Sequence, residues 1–246
     1  MEAREIDLDV PRGVGELLGA TFSLFGRHAL LFLSVTLAVV APVVVLVDGV
    51  WGRVLTDGPD ASIPAGAFAA GFVLSITVPV LVTALHAGIV WALGRGDAVT
   101  VREGSRVGVR RSPIAFLAAF FYTALVMVGF CLLIVPGIWV AVIGYFVAQA
   151  VVLERAGPIG AFKFSIALVS GRWWWTFGAL ALGWLLFVLT NGIARVALGG
   201  AVESGVLFIL LATLLDTVSY SLTALFGTLL YFSLRVRAEQ AALVAA

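Results

Sequence analysis

Few side chains in this chain suit covalent or metal chemistry. His28 and His86 are its two histidines and Cys131 its single cysteine, and no two of them are neighbours in sequence. A zinc site needs clustered Cys and His ligands, so no metal is expected. No G-x-x-x-x-G-K-S/T phosphate loop occurs. Gly13, Gly15 and Gly19 are spaced glycines, but no strand precedes them, and they read as close-packing positions in a helix. One cysteine excludes an intrachain disulfide, and Cys131 lies in an apolar run, where it packs as a small hydrophobe. The expectation is a protein that is not an enzyme and uses no cofactor.

The remaining polar residues suit recognition instead. Arg106, Arg110 and Arg111 form one basic cluster, and Arg172 leads directly into Trp173, Trp174 and Trp175. Arginine grips phosphate through two parallel hydrogen bonds, and tryptophan collects at membrane interfaces. Each basic residue near an anionic surface contributes about 1 kcal/mol. These residues are expected either to hold an anionic lipid headgroup or only to anchor the chain at the membrane boundary. Polar residues inside apolar runs are costly and mark function or interhelical contact. Here they are His86 and Gln149, read as hydrogen bonds between helices, with a proton relay as the alternative for His86. Asp48, Arg195 and Asp216 fall near the far ends of their spans. They form either one polar cluster on that side or three separate helix ends in water and headgroups.

The elements that hold these residues are apolar helices. The 246 residues are 62% hydrophobic and 12% charged, about half the charge of a soluble domain. Several runs reach the ~20 residues needed to cross a bilayer. A net charge of +1 argues against nucleic acid, whose binding domains carry a concentrated basic excess. The start, MEAREIDLDV, is acidic and polar, unlike a signal peptide. Residues 1–13 are therefore expected as a polar cytoplasmic segment, 14–237 as one six-helix transmembrane domain and 238–246 as a short cytoplasmic tail.

The predicted fold is all-α: six transmembrane helices arranged as three hairpins, each hairpin preceded by a cytoplasmic amphipathic helix lying in the interface. The first surface helix is Val14–His28, with Val14, Leu17, Leu18, Thr21, Phe22 and Phe25 on one face. Spans one and two are Ala29–Val50, with Pro42, and Ala65–Leu93, with Pro79. Val99–Arg111 forms a second, weaker surface helix. Span three is Pro113–Val135 and span four Ile138–Leu153, joined by a Pro136-Gly137 turn. The third surface helix is Pro158–Ser170, started by Pro158 and stopped by Gly171, with Ile159, Phe162, Ile166 and Val169 on its buried face. Span five is Trp174–Ile193, then a loop over Asn191–Ser204, and span six lies within Gly205–Leu234. Of the 15 Lys and Arg residues, all but Arg53 and Arg195 fall on one side of this arrangement. Basic loops stay cytoplasmic, so both termini are expected there and the Pro136-Gly137 turn outside.

The stretch LLIVPGIWVAVIGYFVAQAVVLERAGPIGAFKFSIALVSGRWWWTFG resembles the central motif of a bacterial and archaeal family. That family comprises the membrane domain of glycerophosphoryl diester phosphodiesterases, with relatives among inner-membrane proteins of the YciC type. The matching features are Pro136-Gly137, Glu154, Gly157-Pro158, Ser170 and Gly171-Arg172-Trp173-Trp174. The tail LLYFSLRVRAE is similar to the family's ending, with Ser233 where an Asp is common. The resemblance implies a six-span domain in the cytoplasmic membrane. It does not imply phosphodiesterase activity, which belongs to a separate barrel of about 250 residues.

Two functional classes follow. In the first, the domain binds a lipid or other amphiphile, or helps it cross, and has a cavity between its hairpins lined by polar residues. In the second, it is a scaffold for another membrane or secreted protein, with a closed core and an external small-residue or aromatic patch, for instance around Ala179 and Gly183.

Overall fold

The computed structural model of the chain describes residues 6–56, 65–96, 101–201 and 205–245, and every regular element among them is helical. Helix α1 (Val14–Arg27) buries Leu17, Thr21 and Leu24, while Phe22 is exposed. Its start is held by Glu16, whose carboxylate accepts the Gly13 N–H at 2.7 Å. Helix α2 (Ala29–Thr56) leaves α1 at an angle of 89° and runs through Pro42. Helix α3 (Ala65–Gly94) likewise continues through Pro79.

Helix α4 (Val101–Leu132) is followed by the short helices α5 (Ile134–Ile143), α6 (Val147–Leu153) and α7 (Pro158–Val169). Helix α8 (Trp173–Phe187) passes through a π-helical turn, Val188–Ile193, into α9 (Ala194–Ala201), and α10 (Gly205–Ala245) closes the chain. Four stretches are long and apolar enough to cross a membrane: Gly108–Leu132, Ile134–Leu153, Trp173–Leu198 and Val206–Val244. At 1.5 Å per residue, even the shortest reaches about 30 Å, the thickness of a hydrocarbon core.

Helix α10 is the centre of the bundle. Every residue from 224 to 234 is buried, as expected of a helix that is apolar all round. Leu225, Leu229, Leu230 and Tyr231 share one core with Leu17 of α1, Phe32 of α2, Ile89 of α3, Leu168 of α7 and Ala179 of α8.

Three sequence expectations are corrected. The turn after α4 is at Leu133, whose extended backbone caps α5; Pro136 and Gly137 lie inside the first turn of α5. Proline is tolerated there because the first four helical N–H groups have no partner in the helix. Gly137 is buried against α4: a Cβ on Gly129 would lie 2.9 Å from the Gly137 Cα, so the two glycines let the backbones touch. Secondly, no separate surface helix covers Val99–Arg111. From Val101 onward this stretch is the start of α4, with Pro113 inside it. Nothing stops the helix there, and Ser112 donates to the Gly108 carbonyl at 2.8 Å. By contrast α7 does stop, because Gly171 takes φ +75°.

Thirdly, the expected loop from Asn191 is helical through Ala201. A polar Asn in that stretch faces another helix rather than solvent, so its polarity does not end the helix. Residues 238–245 continue α10, and no Gly or Pro interrupts them.

Candidate functional site

The apolar stretch Ile134–Leu153 is broken. Between α5 and α6, residues Gly144, Tyr145 and Phe146 form a turn, which leaves backbone groups without helical partners. Such groups must be satisfied internally at membrane depth. Ser165 of α7 does this: its hydroxyl donates to Ile143 O at 2.6 Å and accepts the Phe146 N–H at 3.2 Å. Tyr122 of α4 supports the same break by donating to Ala141 O at 2.7 Å. Gly144 is required here, since a Cβ would collide with the Tyr122 ring and lie 2.9 Å from Phe162.

A cavity of about 260 Å³ lies against this break. Pro79 and Thr83 of α3, Tyr122 of α4, Tyr145 and Gln149 around the break, and Tyr220 and Thr223 of α10 contribute to its wall. Gln149 is fully enclosed and its Oε1 accepts no hydrogen bond. An unpaired buried carbonyl is costly, and it supplies an acceptor for a ligand or a water molecule. On the other side of Tyr122, α4 and α7 enclose an apolar groove of about 790 Å³, lined by Phe121, Leu125, Pro158, Ile159, Phe162 and Ile166, with Lys163 at its edge. The expected buried face of α7 is thereby corrected. Ala161, Ser165, Leu168 and Val169 face the core, while Ile159, Phe162 and Ile166 line the groove. Only Val169 is common to both sets.

Of the intramembrane polar residues, His86 is completely buried on α3 and stacks on Phe32 with centroids 5.1 Å apart. Its Nδ1–H donates to Val82 O at 2.9 Å, so Nε2 is the acceptor that faces the Thr36 hydroxyl at 3.5 Å. Thr36 and Ser221 are 2.7 Å apart, which links α3, α2 and α10 through one polar contact. Asp216 is also buried, accepting from the Asn191 amide. One turn away, Ser219 donates to Thr190 at 3.1 Å. The π-helical turn brings Thr190 and Asn191 onto α10. Asp216 is therefore an interhelical residue and not a helix end in water. The side chains of Asp48 and Arg195 lie outside the described residues, so the three-residue polar cluster is not resolved.

The basic residues separate into two places. Arg106 and Arg110 are exposed on the first turns of α4. Arg172, at the start of α8, meets the ends of the chain instead: its Nη2 donates to Arg237 O at 2.8 Å. The Arg237 guanidinium lies over Trp175, 4.8 Å from the ring centroid, and donates to Arg12 O at 2.9 Å. Trp173 stacks on Phe177, and Trp174 is exposed. Beside them, Glu154 accepts from Tyr231 at 2.6 Å and from Arg235 at 2.9 Å. This pair ties together the two stretches that carry the family resemblance, Leu132–Phe177 and Leu229–Glu239. Arg12, Ser233, Tyr122 and Ser165 carry no local signal that marks them for these roles.

Helices of this length and apolarity, packed around a broken apolar stretch, have the features of an integral membrane protein. Residues 123–238 match a family described only as a domain of unknown function (DUF7847). The match covers α5 to α9 whole, together with the last third of α4 and most of α10. No curated protein and no solved structure matches the chain.

Proposed function

We propose that this chain is a non-enzymatic membrane protein that binds a lipid or other amphiphile, or helps it cross the bilayer. One observation carries this reading. Tyr122 is at once a wall of the open apolar groove and of the cavity beside the break, whose largely apolar lining includes Gln149 with its unpaired Oε1. A ligand with an apolar tail and a polar end needs those two environments side by side. The groove suits a chain, Gln149 Oε1 suits a donor on the polar end, and movement of one ring joins the two spaces. For the scaffold reading, Ala179 is buried and Gly183 packs under Phe226, while Trp184 and Leu185 beside them are exposed.

In this reading α2 and α3, helices of 28 and 30 residues, are the first hairpin of six spans. The 89° bend lays α1 along the interface, both termini are cytoplasmic, and the cytoplasmic membrane is the location. The chain then belongs with the glycerophosphoryl diester phosphodiesterase membrane domains that it resembles. Arg172 with its tryptophans, and Arg106, Arg110 and Arg111, face the headgroups of that leaflet.

The test fills the cavity. Thr223→Leu adds apolar volume to the wall that faces Gln149. Native mass spectrometry of wild type and variant, each incubated with phosphatidylglycerol, should show lower lipid occupancy in the variant at matched thermal stability. Equal occupancy would remove the cavity from the binding site.

A further inference from the structure

We propose that Arg12, Arg172 and Arg237 form a cage for a doubly charged phosphate group. The three residues lie far apart in sequence and are linked in series through backbone carbonyls. Arg172 bonds Arg237 O, Arg237 bonds Arg12 O, and Arg12 bonds Asp7 O. Among the described residues, no carboxylate pairs with any of them. The contrast with Arg235 on the same helix is direct. Arg235 pairs with Glu154 at 2.9 Å and with Glu239 at 3.1 Å. The fold thus neutralises one arginine and gathers three others without a counter-ion.

Like charges repel, and a guanidinium N–H shielded from water costs stability unless an acceptor meets it. Arg12 Nη1 and Arg237 Nε are buried donors with no partner, and so is the Trp173 indole N–H. These orphaned donors, on Arg12, on the Arg237 that bonds it and on the chain neighbour of Arg172, are the complement of an oxyanion with several acceptor oxygens. Arg172 also caps α8 without any side-chain hydrogen bond to the helix start, so the positive end of a 15-residue helix adds to the same field. A phosphate group meets these demands better than a carboxylate, because it offers more oxygens and a second negative charge. Arginine forks match its geometry.

The position of Arg12 makes the cage testable without unfolding the protein. The Arg12 backbone, not its side chain, is pinned to α10: its N–H reaches Ser233 Oγ at 2.9 Å, and Ser233 donates back to Arg12 O at 3.2 Å. Arg12→Gln removes the guanidinium and keeps both bonds. Arg27→Gln, at the exposed end of α1, removes the same charge outside the cage.

Wild type and both variants are placed in nanodiscs of phosphatidylcholine alone or with phosphatidic acid, and inorganic phosphate is titrated by calorimetry in the former. The lipid arm rests on the amphiphile reading; the inorganic arm does not. Retention of phosphatidic acid that Arg12→Gln weakens about tenfold, and Arg27→Gln by less than about twofold, supports the cage with a lipid phosphomonoester as its source. The same ratio for inorganic phosphate supports it with a soluble source. The cage is overturned if neither probe binds, or if the two variants lose affinity equally.

Discussion

Ser165 shows how much a single hydroxyl carries in this protein. It is the meeting point of a carbonyl and an N–H that the break in Ile134–Leu153 strands. Ser165→Ala leaves both groups buried with no substitute, at a cost of about 1–3 kcal/mol. Ser34→Ala makes a useful comparison, because the Ser34 hydroxyl only bonds Leu31 O on an exposed surface. Thermal unfolding in detergent should show a clear loss for Ser165→Ala and nearly none for Ser34→Ala. Similar melting temperatures would mean that the break is not held by this residue. The buried contacts of His86 with Thr36, and of Asp216 with Asn191, belong to the same class: polar pairs that fix the register of helices which lipid contact alone would leave free to slide.

At the scale of elements, α7 is the informative case. Its residues are apolar nearly all round, apart from Lys163, Ser165 and its small residues. The face with the smaller side chains packs inward, because Ala161 lets α7 approach α6 and α4 closely. Large residues on the other face line the groove. Truncation therefore separates the two faces. Leu168 is 4% exposed and Ile159 is 75% exposed. Leu168→Ala should cost about 2–5 kcal/mol through a core cavity, and Ile159→Ala well under about 1 kcal/mol. Denaturation of the two variants in one detergent compares them directly, and a larger loss at Ile159 would invert the assigned orientation.

At the scale of the whole molecule, the largest core is organised by α10, which packs against α1, α2, α3, α7, α8 and α9. The strap before α1 is fastened to it through Ser233, and the broken span is fastened to it through Glu154 and Tyr231. If both ends of the chain are cytoplasmic, the Leu133 turn lies on the outer side. Gly137 cannot report this, because it is buried against Phe130. Leu133 can, being exposed at the turn itself. In a Cys131→Ser background, Leu133→Cys should react with an impermeant maleimide in intact cells. Reaction only after lysis would reverse the topology.

The sequence by itself determined the class, the helical content and the boundaries of α7. Each of these rests on a local signal: runs long enough to cross a bilayer, Pro158 at a helix start, and Gly171 at a stop. It also placed Trp173–Trp175 at a span entrance. Only the tertiary structure decided which face of α7 is core, because helical periodicity cannot choose between two apolar faces. It alone decided that Asn191 continues a helix, since a buried partner such as Asp216 cannot be read from neighbouring residues. It moved the hairpin turn to Leu133, where glycines on both helices permit close packing. Above all, it brought Arg12 to Ser233 and Arg237. Contacts across 221 residues are products of packing, and no local pattern of spacing encodes them.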